Sequence, residues 1–304
     1  MLNKVRLLTP GPTPLPERVR LVLAKDMIHH RKSEFKAVMG RVQERLRVLF
    51  GTADVVLPLS CSGTGAMTAA VYSLFTPGQR VLVVEGGKFG QRWREIAVSR
   101  GLEVTTIEVP WGEAVDPQAV AAALKADPGI AAVLIQHSET STGVLHPVEE
   151  VARITRDTDT LLLVDGISAV SLAPCPMDQW GIDCLVTGSQ KGLMLPPGLA
   201  LLALSPRAWK RAESVTPGCF YFNLPKERAK IAQGQTLFTS AVNLVVGLDE
   251  SLEMLLENGL EAIYAKQWAL TMLARAGVAA MGLELYAKTH FAWGITSVML
   301  PAGV

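Results

Sequence analysis

Cysteine is scarce in this chain: four residues in 304, at Cys61, Cys175, Cys184 and Cys219, with no Cys-x-x-Cys pair among them. That is too few for a disulfide framework, and the paired spacing of a thiolate metal site is lacking. The reading is reduced, buried thiols in a cytoplasmic protein. Histidine is thin as well, and the adjacent His29 and His30 would point different ways from a helix or strand. No metal site is expected. An excess of one charge is also lacking: 29 Lys+Arg against 28 Asp+Glu give a formal net charge of +1. That leaves no basic surplus for a nucleic-acid backbone. The longest apolar runs, 129–135, 161–164 and 198–204, fall far short of the ~18 residues a membrane span needs. The start, Met1-Leu2-Asn3-Lys4-Val5-Arg6, has no long apolar stretch or small-residue cleavage site, so no signal peptide is expected.

Apolar residues, by contrast, are abundant. They make up 49% of the chain before glycine is counted, which rules out disorder. It also leaves apolar surface to bury against a partner. The length allows roughly two domains, or one large α/β domain with an appendage. Short β-rich runs at 54–59, 80–84, 103–109, 130–136, 160–164, 184–187 and 199–204 read as strands. Helical patterns separate several of them, at about 63–75, 89–100, from Asp116-Pro117 and from near Pro147. Asp116 is an N-cap residue and Pro117 suits the first helical position. The runs 130–136 and 160–164 are almost continuously apolar, as a parallel sheet covered on both faces requires. The fold class is therefore a three-layer α/β architecture with a mostly parallel sheet. After Thr239 the texture turns helical, at 241–258 and 260–276, and the apolar run 295–300 resembles one strand of a further small sheet. Pro10-Gly11-Pro12-Thr13-Pro14-Leu15-Pro16 reads as an extended arm.

Ligands of an open α/β sheet bind beyond the carboxyl ends of its strands, so the residues there carry the chemistry. After the first strand comes Ser62-Gly63-Thr64-Gly65-Ala66-Met67. Its backbone N–H groups, hydroxyls and helix dipole suit a phosphate, though an ordinary tight turn looks the same. It is neither the dinucleotide fingerprint nor a P-loop. The run Leu161-Leu162-Leu163-Val164 delivers Asp165. This carboxylate is an N-cap, a buried ion-pair member, or an acid kept ionised to stabilise a cation such as a protonated pyridine nitrogen. Lys191 follows in Thr187-Gly188-Ser189-Gln190-Lys191-Gly192. It is either a solvated surface group or a partly buried amine with a depressed pKa, able to attack carbonyls. Jointly, a phosphate cradle, an acidic strand end and a later lysine suggest pyridoxal 5′-phosphate (PLP).

His137-Ser138-Glu139-Thr140-Ser141-Thr142-Gly143 and Gly188-Ser189-Gln190-Lys191, with Asp165 between them, carry a further signal. On these motifs the chain resembles the class V aminotransferases of PLP fold type I, particularly the alanine–glyoxylate and serine–pyruvate aminotransferase branch. The resemblance runs from Pro10 through the end. It implies that Lys191 bonds covalently to PLP and later moves the substrate α-proton, and that Asp165 pairs with the pyridine nitrogen. Ser62, Gly63 and Thr64 would hold the phosphate with help from Gln190. Phe89, in Gly87-Lys88-Phe89-Gly90, would stack on the cofactor, and Thr140 would bond its 3′-hydroxyl. Thr239 would reach the phosphate of a neighbouring subunit in a homodimer, and could also cap the helix that starts near Ala241. Thr236 stands where the family carries a tyrosine. His30-Arg31 resembles a family element of structural or dimer-related character.

The implied reaction is a ping-pong transfer of an amino group from a small amino acid, alanine or serine, to a small 2-oxo acid, glyoxylate or pyruvate. The expected organisation is an extended arm over 1–20, a large PLP-binding domain over 21–240, and a linking helix with the start of a small α+β C-terminal domain over 241–304. In this family an arginine beyond that point clamps the substrate carboxylate. No match for it occurs before Leu300-Pro301-Ala302-Gly303-Val304, so a fragment is expected. Two alternatives keep PLP: a lyase or desulfurase, the latter needing a mobile nucleophilic cysteine, and a non-catalytic PLP-binding subunit.

Overall fold

The structure, a computed structural model, describes residues 7–301 and 303; residues 1–6 of the expected arm lie outside them. In chain order the elements are α1 (Glu17–Leu23), α2 (Ser33–Phe50), β1 (Val56–Leu59), α3 (Gly63–Leu74), β2 (Arg80–Glu85) and α4 (Lys88–Ser99). Next come β3 (Glu103–Glu108), α5 (Pro117–Ala126), β4 (Ile130–Gln136), β5 (Ser138–Glu139), β6 (Val144–Leu145), α6 (Val148–Thr155) and β7 (Leu161–Asp165). The remainder is α7 (Met177–Trp180), β8 (Cys184–Gly188), β9 (Ala200–Leu204), α8 (Pro206–Ser214), α9 (Leu224–Ile231), α10 (Val242–Leu256) and α11 (Gly259–Ala280).

Seven strands form one sheet in the order β1-β9-β8-β7-β4-β2-β3. β9 is antiparallel to both its neighbours, and the other pairings are parallel. β1 therefore runs in the same direction as β8, β7, β4, β2 and β3, and the carboxyl ends of these six strands share one edge. Every residue of β7, β8 and β9 is buried, because helices cover the sheet on both faces and no strand position meets water. The edge strand β3 instead exposes Glu103, Thr105 and Glu108, a charged border that discourages further pairing. Pro58 sits in β1, the other edge strand, where its missing N–H breaks no ladder.

Local signals explain the helix starts. Asp116 accepts a hydrogen bond from the amide of Gln118 at 2.9 Å, with Pro117 in the first turn. Ser205 accepts from the amide of Ala208, and Asn223 from that of Lys226. Each satisfies an N–H that the helix cannot.

The structure departs from the sequence reading at several points. The extended arm ends at Pro16, and α1 begins at Glu17, so residues 17–20 are helical. α2 was not anticipated; it buries Phe35, Val38, Met39, Val42, Leu46, Leu49 and Phe50. Its side packs against α10 and β1. The strand expected over 295–300 reduces to one isolated bridge, Leu285 to Val298. Thr239 does not cap α10, whose N-cap position is Ala241 without a side-chain cap. There the Ser60 hydroxyl accepts the amide of Ala241 at 2.9 Å.

Candidate active site

Parallel strands bring distant residues to one edge of the sheet. Gln136 of β4 lies opposite Asp165 of β7, which lies opposite Val186 of β8. Beyond these ends sit the α3 entry at Ser62, the β5–β6 turn with Thr140, and the loop carrying Gln190 and Lys191.

Asp165 is 3% exposed. One carboxylate oxygen accepts the amide of Ile167 at 2.8 Å. No salt bridge reaches it among the described residues; Arg92 and Lys191 act on it only across a distance. It caps no helix either, so neither commonplace reading from the sequence fits. Burial, reinforced by the like charge of Glu139, pushes its pKa up to about 7. A buried carboxylate this poorly compensated is suited to a cationic donor placed against it.

Lys191 is half-buried, not a solvated surface group. Its Nζ donates to the Pro10 carbonyl at 3.0 Å, and burial lowers its pKa below the usual lysine value. The N-terminal arm clasps this loop. The Thr13 amide donates to the Gln190 carbonyl at 3.0 Å, and the Thr13 hydroxyl to the Lys191 carbonyl at 3.0 Å. Gly11 is needed here for two reasons. Its φ of +152° suits glycine alone, and a Cβ would stand 2.7–2.9 Å from the Lys191 side chain. Gly11→Ala is therefore expected to displace the amine. Borohydride trapping of an aromatic aldehyde at Lys191 should slow by roughly 10- to 100-fold, the cost of about an ångström of misplacement. Mass spectrometry of the trapped adduct would measure this, and an unchanged rate in folded protein would refute the clasp.

At the α3 entry the Ser62 hydroxyl accepts the Gly65 amide at 3.3 Å. The amides of Gly63 and Thr64 precede the helix's own ladder and remain free for an anion. Gly63 passes so close to Ile167 that a Cβ would overlap its side chain. This contact ties the loop to the strand end bearing Asp165. The Oε1 of Gln190 is buried without a protein partner.

Glu139 organises the opposite wall. Its buried carboxylate accepts the amides of Phe89 and Gly90 at 3.1 Å each, and the Ser141 amide at 3.1 Å and hydroxyl at 2.5 Å. It thus caps α4 at its positive end and fixes Phe89. The Arg92 guanidinium lies 4.8 Å from the Phe89 ring centroid and donates to the Thr64 hydroxyl at 3.3 Å. The Thr140 and Ser168 hydroxyls pair at 2.7 Å. Ser168 lines a cavity of about 690 Å³ with Pro10, Thr13, Lys191, Met254 and Gln267.

The structure thus gathers Ser62, Gly63, Thr64, Phe89, Thr140, Asp165, Gln190 and Lys191 at one edge of the sheet. Thr239 sits apart, lining a small recess with Ser60, Tyr221 and Phe238. Arg31 of the His-Arg element holds the loop leading to it, donating to the Gln235 side chain at 2.7 Å and the Thr236 carbonyl at 3.0 Å. Thr236 turns its hydroxyl onto the Phe238 carbonyl at 2.7 Å. Glu139, Arg92, Ser168 and the arm contacts had no assigned role in the sequence reading. Arg92 had a signal in its helical i,i+3 spacing from Phe89, and Glu139 in its place within the motif 137–143.

Residues 18–300 match the family model described as aminotransferase class-V. The chain belongs to the class V aminotransferases. Among relatives, the soluble hydrogenase small subunit of Synechococcus sp. (strain PCC 6716) is 40% identical over 100% of this chain and 80% of its own. The L-aspartate–glyoxylate aminotransferase of Paracoccus denitrificans (strain Pd 1222) is 34% identical over 100% of this chain and 78% of its own. Among solved structures, the alanine–glyoxylate aminotransferase of Nostoc sp. superposes with a TM-score of 0.92 at 28% identity. That match covers 100% of this chain and 83% of the other. The fold of this class V aminotransferase is thus fold type I, as its sheet already indicated. Three of the four cysteines give the desulfurase alternative little support. Burial pushes the Cys61 and Cys175 thiols up to about 12, away from the thiolate, and raises Cys184 too.

Proposed function

We propose that this class V aminotransferase uses PLP to move an amino group from a small amino acid, alanine or serine, to glyoxylate or pyruvate. The observation that carries the reading is the meeting, at one edge of the sheet, of a lysine whose pKa burial lowers and a buried, undercompensated aspartate. The site residues fit the cofactor. The Gly63 and Thr64 amides with Ser62 offer an anion site, Gln190 an unsatisfied amide, and Phe89 a flat apolar face. Asp165 would stand against the ring nitrogen, its carboxylate held ionised by that cation. Thr140 would bond the 3′-hydroxyl and stay anchored to Ser168, and Thr239 would serve a partner subunit's phosphate in a homodimer. When bound, PLP supplies the electron sink that lets an amino group leave one acid and join another. The protein's own part in the chemistry centres on Lys191. Its lowered pKa leaves more neutral amine at neutral pH, so Nζ can take a proton from the substrate and return it.

Glyoxylate as acceptor is supported by the names of the Paracoccus and Nostoc proteins, the first of which also names aspartate as a donor. The Synechococcus relative's name favours a second reading, a PLP-binding subunit without turnover. A half-reaction screen tests both. PLP-loaded protein is mixed singly with alanine, serine and aspartate, and pyridoxamine phosphate is quantified. Stoichiometric conversion with one donor is expected. PLP binding without conversion by any amino acid would favour the subunit reading and reject the aminotransferase.

A further inference from the structure

Arg92 is a charged group at this site to which neither the family resemblance nor the proposed reaction gives a task. It lies on α4 three residues after Phe89, so both side chains occupy one helix face. Its guanidinium donates to the Thr64 hydroxyl at 3.3 Å and covers the Phe89 ring at 4.8 Å. Among the described residues it forms no salt bridge, whereas neighbouring Arg94 on the same helix pairs with Glu85 at 2.7 Å. The two acids nearby do not bind Arg92: Glu139 is saturated by α4 and Ser141, and Asp165 stands farther off.

We propose that Arg92 is a positioning residue of the PLP site, the fixed cation that ties the phosphate loop at Thr64 to the stacking ring of Phe89 and balances Asp165. The proposal rests on the PLP reading above. A phosphate dianion held at Thr64 would have a permanent positive charge one hydroxyl away, a charge-assisted arrangement. A guanidinium also suits an aromatic face better than an ammonium does. Its charge is constant, since arginine does not deprotonate in proteins, while Lys191 changes its bonding through the reaction.

The electrostatic consequence can be given a sign. The charged groups facing Asp165 are Glu139 beside the β5–β6 turn, Arg92 on α4 and Lys191 after β8. Glu139 raises the Asp165 pKa; Arg92 and Lys191 lower it. Removing Arg92 makes Asp165 harder to ionise. PLP affinity, which needs that carboxylate ionised, would then begin to fall at a higher pH on acidification.

The test is PLP binding to the apoprotein, followed by absorbance from pH 5.5 to 9 for wild type, Arg92→Gln and Arg92→Lys. Arg92→Gln is expected to bind PLP about tenfold more weakly at neutral pH, with its acid limb moved to higher pH. Arg92→Lys should return the limb to the wild-type position while recovering affinity only in part. A folded Arg92→Gln protein with wild-type affinity and limb would overturn the assignment, as would a lysine variant no better than the glutamine one. Should Arg92→Gln not fold, Arg92→Lys decides alone: a wild-type limb with weakened binding supports the role, and full affinity overturns it. Wild-type protein that binds no PLP would overturn the cofactor reading and this assignment with it.

Discussion

Lys191→Ala should yield a folded protein that makes no covalent link to PLP and exchanges no amino group, with turnover down by at least about 10⁴-fold. Two losses combine in that figure. On the proposed reading the ε-amine would be the nucleophile that captures the cofactor and also the base that carries the substrate proton. No second lysine replaces it at once: Lys266 also lines the 690 Å³ cavity but lacks the clasp of the arm. The stability cost should be small. Lys191 is half-buried, and its one side-chain hydrogen bond goes to the Pro10 carbonyl, a group close enough to the surface to find water instead. Near-visible absorbance after PLP addition, borohydride reduction and peptide mapping check the prediction. A borohydride-stable adduct formed in wild-type yield by the alanine variant would refute the assignment of Lys191. A large fall in melting temperature would instead show that the loop depends on its side chain for structure.

Much of this arrangement was legible before any coordinates, and the reasons are physical. β4, β7 and β9 are covered on both faces, so they appear as nearly continuous apolar runs, which their short length assigns to strands rather than helices. Asp165 ends the run of β7 and Lys191 comes three residues after β8, and a parallel sheet delivers whatever lies at its strand ends to one edge. Sequence adjacency to a strand end thus substituted for spatial knowledge.

Where that substitution is unavailable, the reading fell short. Gly11 and Lys191 touch across 180 residues, and nothing in Pro10-Gly11-Pro12 says which loop it will lie upon. Glu139 was visible in its motif, but its task depends on where α4 begins relative to the β5–β6 turn. α2 was legible in principle through Phe35, Val38, Met39, Val42 and Leu46, which repeat at helical spacing. Its N-cap residue Lys32 gives no side-chain cap to announce the start. The run 295–300 failed for the opposite reason. Among the described residues its apolar residues find no partner strand beyond the single bridge, and β structure is a property of pairs rather than of one segment.

The second large effect concerns the fold that aims the site. Arg207→Ala should destabilise the protein by about 3 kcal/mol, the low end for breaking a buried ion pair, because Arg207 is itself a third exposed. Asp183 stands at the start of β8 with a side chain 2% exposed. One of its oxygens accepts from the Ser205 hydroxyl at 2.7 Å and Arg207 Nε at 2.6 Å. The other accepts from the Leu162 amide at 2.8 Å and Arg207 Nη2 at 2.5 Å. Arg207 also donates to the Thr158 carbonyl at 2.6 Å and the Thr160 carbonyl at 3.2 Å. This single pair joins the start of β7, the start of β8, the end of β9 and the cap of α8. The two truncations should differ in size. Removing Arg207 strands a carboxylate that water cannot reach, while Asp183→Ala leaves a guanidinium that can turn outward. Arg207→Ala is therefore expected to lower the melting temperature more than Asp183→Ala, by scanning calorimetry of the apoproteins. The reverse order would mean that the carboxylate's bonds to Leu162 and Ser205 outweigh its charge pairing. Since β7 ends at Asp165 and β8 leads to Lys191, loosening their shared start should also weaken PLP binding in whatever fraction stays folded. The two residues that carry the proposed chemistry owe their relative placement to a pair at the far end of their strands.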